Sequence, residues 1–203
     1  MGVTRFNFPV GVRLPTIILA AREPPGMSGL VIYSSYGYTG SLIAETAVER
    51  GLEPTLAGRE RRTLESQAGR CEFEVAGLDE SEGLDMLLED ATAVLHCAGP
   101  FSRTWAPMVE ACVRTGTQYL DITGGISVFE AIQSRDERAA GGAPAGRPRR
   151  CWNTSTPAAR SAGTALTTAR RALAGEVEPG FQTPAGVYGP DLIPDGVERE
   201  DVL

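Results

Sequence analysis

The sequence predicts an α/β protein, a Rossmann-like doubly wound parallel sheet with a C-terminal helix and an irregular tail. Three observations carry that reading. Short apolar runs alternate with longer amphipathic runs between Gly29 and Ala140, and five strands joined to helices by short loops imply a parallel sheet covered on both faces. The first apolar run, Leu30-Val31-Ile32-Tyr33, passes into Ser34-Ser35-Tyr36-Gly37-Tyr38-Thr39-Gly40 and then straight into an amphipathic stretch. That order of strand, tight turn and helix brings backbone N–H groups and a helix N-terminus up to a phosphate. Finally, 203 residues with 42% hydrophobic and 22% charged side chains are enough to bury a core and are ordinary for a globular chain.

Residues 1–26 are punctuated by Pro9, Pro15, Pro24 and Pro25 and hold no sustained period, so they read as a poorly ordered extension. Alternatively, Ile17-Ile18-Leu19 docks on an exposed face of the core. Organised sequence begins at Met27. After the first strand comes a helix over 38–50, with Leu42, Ile43, Thr46 and Ala47 on one side and Gly51 closing it. A short strand over 55–57, a helix over 60–67 and a strand over 71–75 follow. Asp79 with Glu82 three residues on is a capping pattern for a helix running to Leu88.

The run Ala93-Val94-Leu95-His96-Cys97-Ala98 is a buried strand ending at Gly99-Pro100. The next helix is expected over 105–114, which places Pro107 in the first turn, where a missing N–H is tolerated. Residues 118–121 form the fifth strand, and Ser127 with Glu130 is a capping box for a helix over 128–140. The texture then changes. Residues 141–163 begin with a Gly-, Pro- and Arg-rich run and read as a linker, and most such basic runs are simply solvated. A loosely attached helix over 164–174, stopped by Gly175, and a turn-rich tail complete residues 164–203.

Composition excludes several function classes. A net charge of −7 argues against nucleic acid as the main partner. Cys71, Cys97, Cys112 and Cys151 are widely spaced, which suggests neither a zinc site nor a disulfide framework. His96 is the one histidine, so chemistry needing several imidazoles within this chain is excluded. No apolar run approaches the ~20 residues that span a bilayer. Residues 14–21 are apolar after Arg13, but they are short and interrupted by Pro15, so a cytoplasmic location with reduced thiols is expected.

Function is read from the loops. Gly37 permits a backbone approach that a Cβ would block, and Gly40 lets the helix lie close to the strand. Ser34 stands where a dinucleotide loop has its first glycine. Serine there is expected to weaken cofactor binding unless the loop conformation is open to an L-residue. Past the second strand, where an NAD site carries an acid, the chain has Gly58-Arg59. Arg59 is suited to a ribose 2′-phosphate, which favours NADP over NAD; otherwise it belongs to a solvated helix start.

Ala98, Gly99, Pro100 and Phe101 lie at the carboxyl end of the fourth strand, where small residues let a nicotinamide lie against backbone or simply make a strand-to-helix turn. His96 reads as a satisfied core residue. Tyr119, Asp121 and Thr123 at the end of the fifth strand are suited to lining a ligand pocket, and Asp121 is equally suited to capping the next turn.

These residues together resemble a known family. Tyr33-Ser34-Ser35-Tyr36-Gly37-Tyr38-Thr39-Gly40, Leu56-Ala57-Gly58-Arg59, Cys97-Ala98-Gly99-Pro100-Phe101 and Tyr119-Leu120-Asp121-Ile122-Thr123-Gly124 are similar to motifs of the saccharopine dehydrogenase-like oxidoreductases, which include the trans-acting enoyl reductases. The resemblance covers about 27–140. A second match, with Pro179-Gly180-Phe181-Gln182-Thr183-Pro184-Ala185 and Tyr188-Gly189-Pro190-Asp191, is similar to the family's C-terminal end.

The resemblance implies an NADP-binding domain, a small-molecule or lipid-like substrate, and a central substrate and dimerisation domain whose place here is taken by the Gly/Pro/Arg run. Gly125 stands where the family has glutamate. The expected function is NADP-dependent hydride transfer, with residues 34–40 on the pyrophosphate, Arg59 on the 2′-phosphate and residues 98–101 beside the nicotinamide. No residue is assigned as the catalytic acid. A nucleotide-binding module without turnover is the alternative, and a bared apolar face would favour a homo-oligomer.

Overall fold

A computed structural model of the chain describes residues 29–140, 150–153, 158–176 and 180–182. The expectations for 1–26, for most of the linker before residue 150 and for the tail beyond 182 lie outside the described residues. Thirteen elements alternate along the described chain: β1 (Leu30–Tyr33), α1 (Tyr38–Glu49), β2 (Thr55–Gly58), α2 (Arg61–Ala68), β3 (Phe73–Val75), α3 (Ser81–Leu88), β4 (Ala93–His96), α4 (Phe101–Thr115), β5 (Gln118–Asp121), α5 (Ile126–Ala140), β6 (Arg150–Asn153), α6 (Ala158–Leu173) and β7 (Gly180–Gln182). The strands form one sheet in the order β3-β2-β1-β4-β5-β6-β7, with every adjacent pair parallel.

Alternation along the strands divides the core between the two faces. Leu30, Ile32, Leu56, Leu95 and Leu120 face α1, α2 and α6, whereas Val31, Tyr33, Val94 and Tyr119 face α3, α4 and α5. All four side chains of β1 and of β4 are buried, as strands covered on both faces require.

Four local expectations are corrected. No side-chain cap opens α3, whose N-cap is Glu80, so the Asp79–Glu82 pair is not a capping box. Helix α4 starts four residues earlier than expected, which places Pro107 inside it, beyond the first turn. The early start has a local cause: the Thr104 hydroxyl donates to the carbonyls of Ala98 and Pro100 and ties the first turn to the preceding loop. Ser127 lies inside α5, and the backbone of Gly125 accepts from Val128 and Phe129 instead.

The last correction concerns α6, which is not loosely attached. Ala162, Ala165, Leu166, Ala169, Ala172 and Leu173 form a buried stripe at helical spacing. They pack in one cluster with Ile43, Ala44 and Ala47 of α1, where small residues on both helices allow close approach. Gln118 of β5 also donates its side-chain amide to the Ala172 carbonyl at 3.2 Å. Strand β6 and the start of α6 fall within the stretch expected to be linker.

The placement of α6 has a topological consequence. The steps from β5 to β6 and from β6 to β7 run in the same direction along the sheet, yet α5 lies on the α3/α4 face and α6 on the α1 face. The β6–α6–β7 crossover therefore has the opposite hand to β5–α5–β6, and by the same reasoning to β1–α1–β2. Compact parallel crossovers are right-handed in ~98% of cases.

Candidate cofactor-binding site

Parallel pairing gathers the candidate loops on one edge of the sheet. Tyr33 pairs with Ala57 on one side and His96 on the other, and His96 pairs with Asp121. The segments after β1, β2, β4 and β5 consequently share the carboxyl edge. The chain steps one way from β1 to β3 and the other way from β4 onward, so the crevice between β1 and β4 is the topological switch point, where open α/β sheets bind their ligands.

The loop after β1 is set by its backbone. Ser34 N–H donates to the Ala57 carbonyl at 2.6 Å, Gly37 N–H to the Ser34 carbonyl at 3.1 Å, and Ser41 N–H to the Gly37 carbonyl at 2.7 Å. A Cβ on Gly40 would overlap the Ser34 carbonyl oxygen, so only glycine lets α1 start this close to the loop. A Cβ on Gly37 would meet Ser34 at ordinary contact distances. Internal packing therefore does not demand glycine at 37. No side chain caps α1 and its first turn holds no acid, which leaves the helix N-terminus suited to an anion.

Ser34 has φ +61°, the one non-glycine in the left-handed region among the described residues. That conformation is open to serine at a cost of about 1–2 kcal/mol, so the substitution for glycine is accommodated in the turn itself. Ser35 is fully buried. Its hydroxyl donates to Gln67 Oε1 at 2.8 Å, and Gln67 Nε2 donates back to the Ser35 carbonyl at 2.7 Å. This two-bond clamp from α2 onto the loop was not legible in the sequence, because 32 residues separate the partners.

Tyr36 reaches across to the end of β2. Its ring lies against Gly58, where a Cβ would come within 2.6 Å of ring carbon Cε1, and its hydroxyl accepts from Arg59 N–H at 3.2 Å. The Arg59 side chain is 80% exposed and meets only the neighbouring Glu60 carboxylate, at 3.4 Å. Tyr38 stands 76% exposed at the start of α1. Thr39 lies in the first turn of α1, before Gly40.

The far side of the crevice has another character. Ala98 is half-buried and Gly99 and Pro100 are exposed, while Phe101 opens α4 and sets its ring edge-on to His96 at 5.7 Å. His96 is fully buried, stacked on Tyr33 at 5.6 Å and tilted against Tyr119 at 5.9 Å. It is a core residue, but not a satisfied one: neither ring nitrogen has a hydrogen-bond partner. Burial holds its pKa down at about 3, so the imidazole is neutral.

Burial, with the Asp121 carboxylate adding to it, pushes the Cys97 thiol up to about 12, which rules it out as a thiolate nucleophile at neutral pH. Asp121 is buried and holds the turn, as the capping alternative required. One carboxylate oxygen accepts from Thr123 N–H at 3.1 Å and the other from the Tyr119 hydroxyl at 3.0 Å. The Thr123 hydroxyl accepts from Gly125 N–H at 3.3 Å. A groove of about 520 Å³ between α1 and α2, lined by Ala44, Val48, Leu56 and Cys71 among others, sits away from this edge and is not the crevice.

The fold and the edge together define a class: a doubly wound α/β domain whose candidate loops meet at the carboxyl edge beside the switch point. Residues 32–176 match the model of the saccharopine dehydrogenase NADP binding domain, and the chain belongs to that family. NADP is accordingly its cofactor, and the uncapped, acid-free N-terminus of α1 fits a phosphate group.

Among similar curated proteins, a human saccharopine dehydrogenase-like oxidoreductase is 27% identical over 55% of this chain and 31% of its own length. A trans-acting enoyl reductase of Mycobacterium leprae is 35% identical over 47% of this chain and 25% of its own length. The chain thus spans less than a third of these relatives. A nucleoside-diphosphate-sugar epimerase from Pseudomonas aeruginosa superposes with a TM-score of 0.53 at 12% identity, covering 78% of this chain and 82% of that one, a likeness of fold alone. Among the described residues no helix is long and apolar enough to cross a membrane and no cluster of metal-ligating side chains occurs.

Proposed function

We propose that this chain binds NADP with residues 34–40 on the pyrophosphate, Arg59 on the 2′-phosphate and Ala98, Gly99, Pro100 and Phe101 beside the nicotinamide, and that it serves hydride transfer to a small-molecule or lipid-like acceptor. The observation that carries this reading is the meeting of the glycine turn with Gly58 and Arg59 through the Tyr36 bridge, on the carboxyl edge at the switch point. NADPH, when bound, supplies the hydride. The chain's own residues bind and orient it: the uncapped first turn of α1 takes the pyrophosphate, and the packing of Tyr33, His96 and Phe101 on one another fixes the ends of β1 and β4 and the start of α4 that border the crevice. An enoyl acceptor is the substrate class that the name of the mycobacterial relatives suggests.

The test is a titration of the purified protein with NADPH and NADH, repeated on Arg59→Ala. Loss of a charge-assisted contact is worth about ten-fold or more in affinity. NADPH binding should fall by that much in Arg59→Ala while NADH binding stays within two-fold. Equal losses on both nucleotides, or none, would remove Arg59 from the site.

A second reading, a nucleotide-binding module without turnover, is favoured by one observation. At the nicotinamide side the described groups are a neutral imidazole, a raised thiol, and a carboxylate whose two oxygens hold its own turn. NADPH oxidation that depends on an added enoyl acceptor would reject that reading; binding with no oxidation would support it.

A further inference from the structure

Resting on the assignment of Arg59 to the 2′-phosphate, we propose that Tyr36 closes the 2′-phosphate subsite on itself: its phenol occupies the backbone donor of Arg59 that the phosphate takes, and NADP binds by displacing it.

Four features support this. The phenol oxygen accepts from Arg59 N–H, the first backbone donor beyond β2, where the ribose of a dinucleotide lies. The bond is 3.2 Å long, at the weak end of the N–H···O range, whereas an ionised phosphate would accept at about 2.7–2.9 Å and with roughly twice the strength. The ring rests on Gly58, the one residue type that gives it room there, so the closed position is built into the end of β2. Arg59 itself is held only by an exposed 3.4 Å contact to Glu60, so it too is released at little cost.

A ribose 2′-hydroxyl offers that N–H nothing stronger than the phenol already does. Only a charged 2′-phosphate gains by the exchange. The closed Tyr36 therefore costs NADP part of its affinity and leaves NAD, which does not displace it, almost untouched.

The experiment measures dissociation constants of NADPH, NADH, adenosine 2′,5′-bisphosphate and adenosine 5′-monophosphate for the unaltered chain, Tyr36→Phe, Tyr36→Ala and Arg59→Ala. Tyr36→Phe keeps the ring against Gly58 and removes only the hydroxyl. It should tighten NADPH and the bisphosphate about three- to ten-fold, the worth of one freed hydrogen bond, and move the other two less than two-fold. Tyr36→Ala should show the same selectivity.

A loss on all four ligands in Tyr36→Phe would make Tyr36 a support of the loop and overturn the proposal. An equal gain on all four would make it a general obstruction of the adenosine pocket and overturn it as well. Arg59→Ala separates the two levels of inference. If NADPH preference survives in Arg59→Ala, the Arg59 assignment fails. If it is lost there while Tyr36→Phe changes nothing, the displacement by NADP fails and the Arg59 assignment stands.

Discussion

In the loops after β1 and β2 the backbone and polar side chains bond to one another, whereas around His96 at the end of β4 the rings of Tyr33 from β1, Phe101 from α4 and Tyr119 from β5 enclose an imidazole with neither nitrogen engaged. The first region is ordered by backbone. Ser34 N–H is tied to β2, Gly40 allows the helix to start against the Ser34 carbonyl, and Gln67 clamps Ser35 from α2. The second is a buried aromatic cluster beside which the Asp121 carboxylate accepts from Thr123 N–H and the Tyr119 hydroxyl. The difference teaches that one end of the edge is ordered by backbone and polar bonds between loops, while the other is ordered by ring packing around a buried imidazole.

The largest expected effect comes from breaking the backbone-built half. Gly40→Ala forces a methyl into the Ser34 carbonyl, which the backbone must move to accept. We expect a loss of about 3 kcal/mol or more in chemical denaturation, with nucleotide binding abolished in any folded fraction. If Gly40→Ala unfolds at the same denaturant concentration as the parent, the close approach does not matter and the contrast collapses.

A smaller effect is expected from removing the clamp. Gln67→Ala leaves the buried Ser35 hydroxyl and carbonyl without that partner, at a cost of about 1–3 kcal/mol. Both NADPH and NADH should bind more weakly and by the same factor, because the clamp holds the turn they share. An effect confined to NADPH would move Gln67's influence to the 2′-phosphate.

The aromatic half is sharpened by pH. In the unfolded chain His96 takes up a proton below about 6.5, whereas in the native chain burial delays that to about 3. Its depressed pKa thus costs stability as pH falls from 6.5 toward 3, with a slope of ~1.4 kcal/mol per pH unit for one proton. His96→Leu should lack that part of the slope when unfolding is followed by urea between pH 4 and 7. Identical slopes would mean that the ring is hydrated or partnered in solution.

How much of this was legible depends on the range of the interactions. The strands β1 and β5 stand where the apolar runs placed them, and the helix after the glycine turn begins at Tyr38 as expected. Helix starts were misread at α3, α4 and α5: no side chain caps α3, Thr104 inside α4 donates its hydroxyl back to the Ala98 and Pro100 carbonyls, and the Gly125 carbonyl accepts the first-turn N–H groups of α5. In the candidate site, the loop residues and Arg59 are local motifs, but the Tyr36 bridge and the Gln67 clamp join residues 23 and 32 positions apart.

What the sequence by itself determined is what local periodicity and glycine spacing encode: a parallel α/β sheet, a phosphate-type turn after its first strand, and an arginine after its second. Only the tertiary structure decided how the last described segment returns. A stripe of alanines and leucines on α6 can bury itself against any face offering small residues. The choice of the α1 face, and with it the reversed hand of the last crossover, follows from the room beside Ala44 and Ala47, which no local pattern specifies.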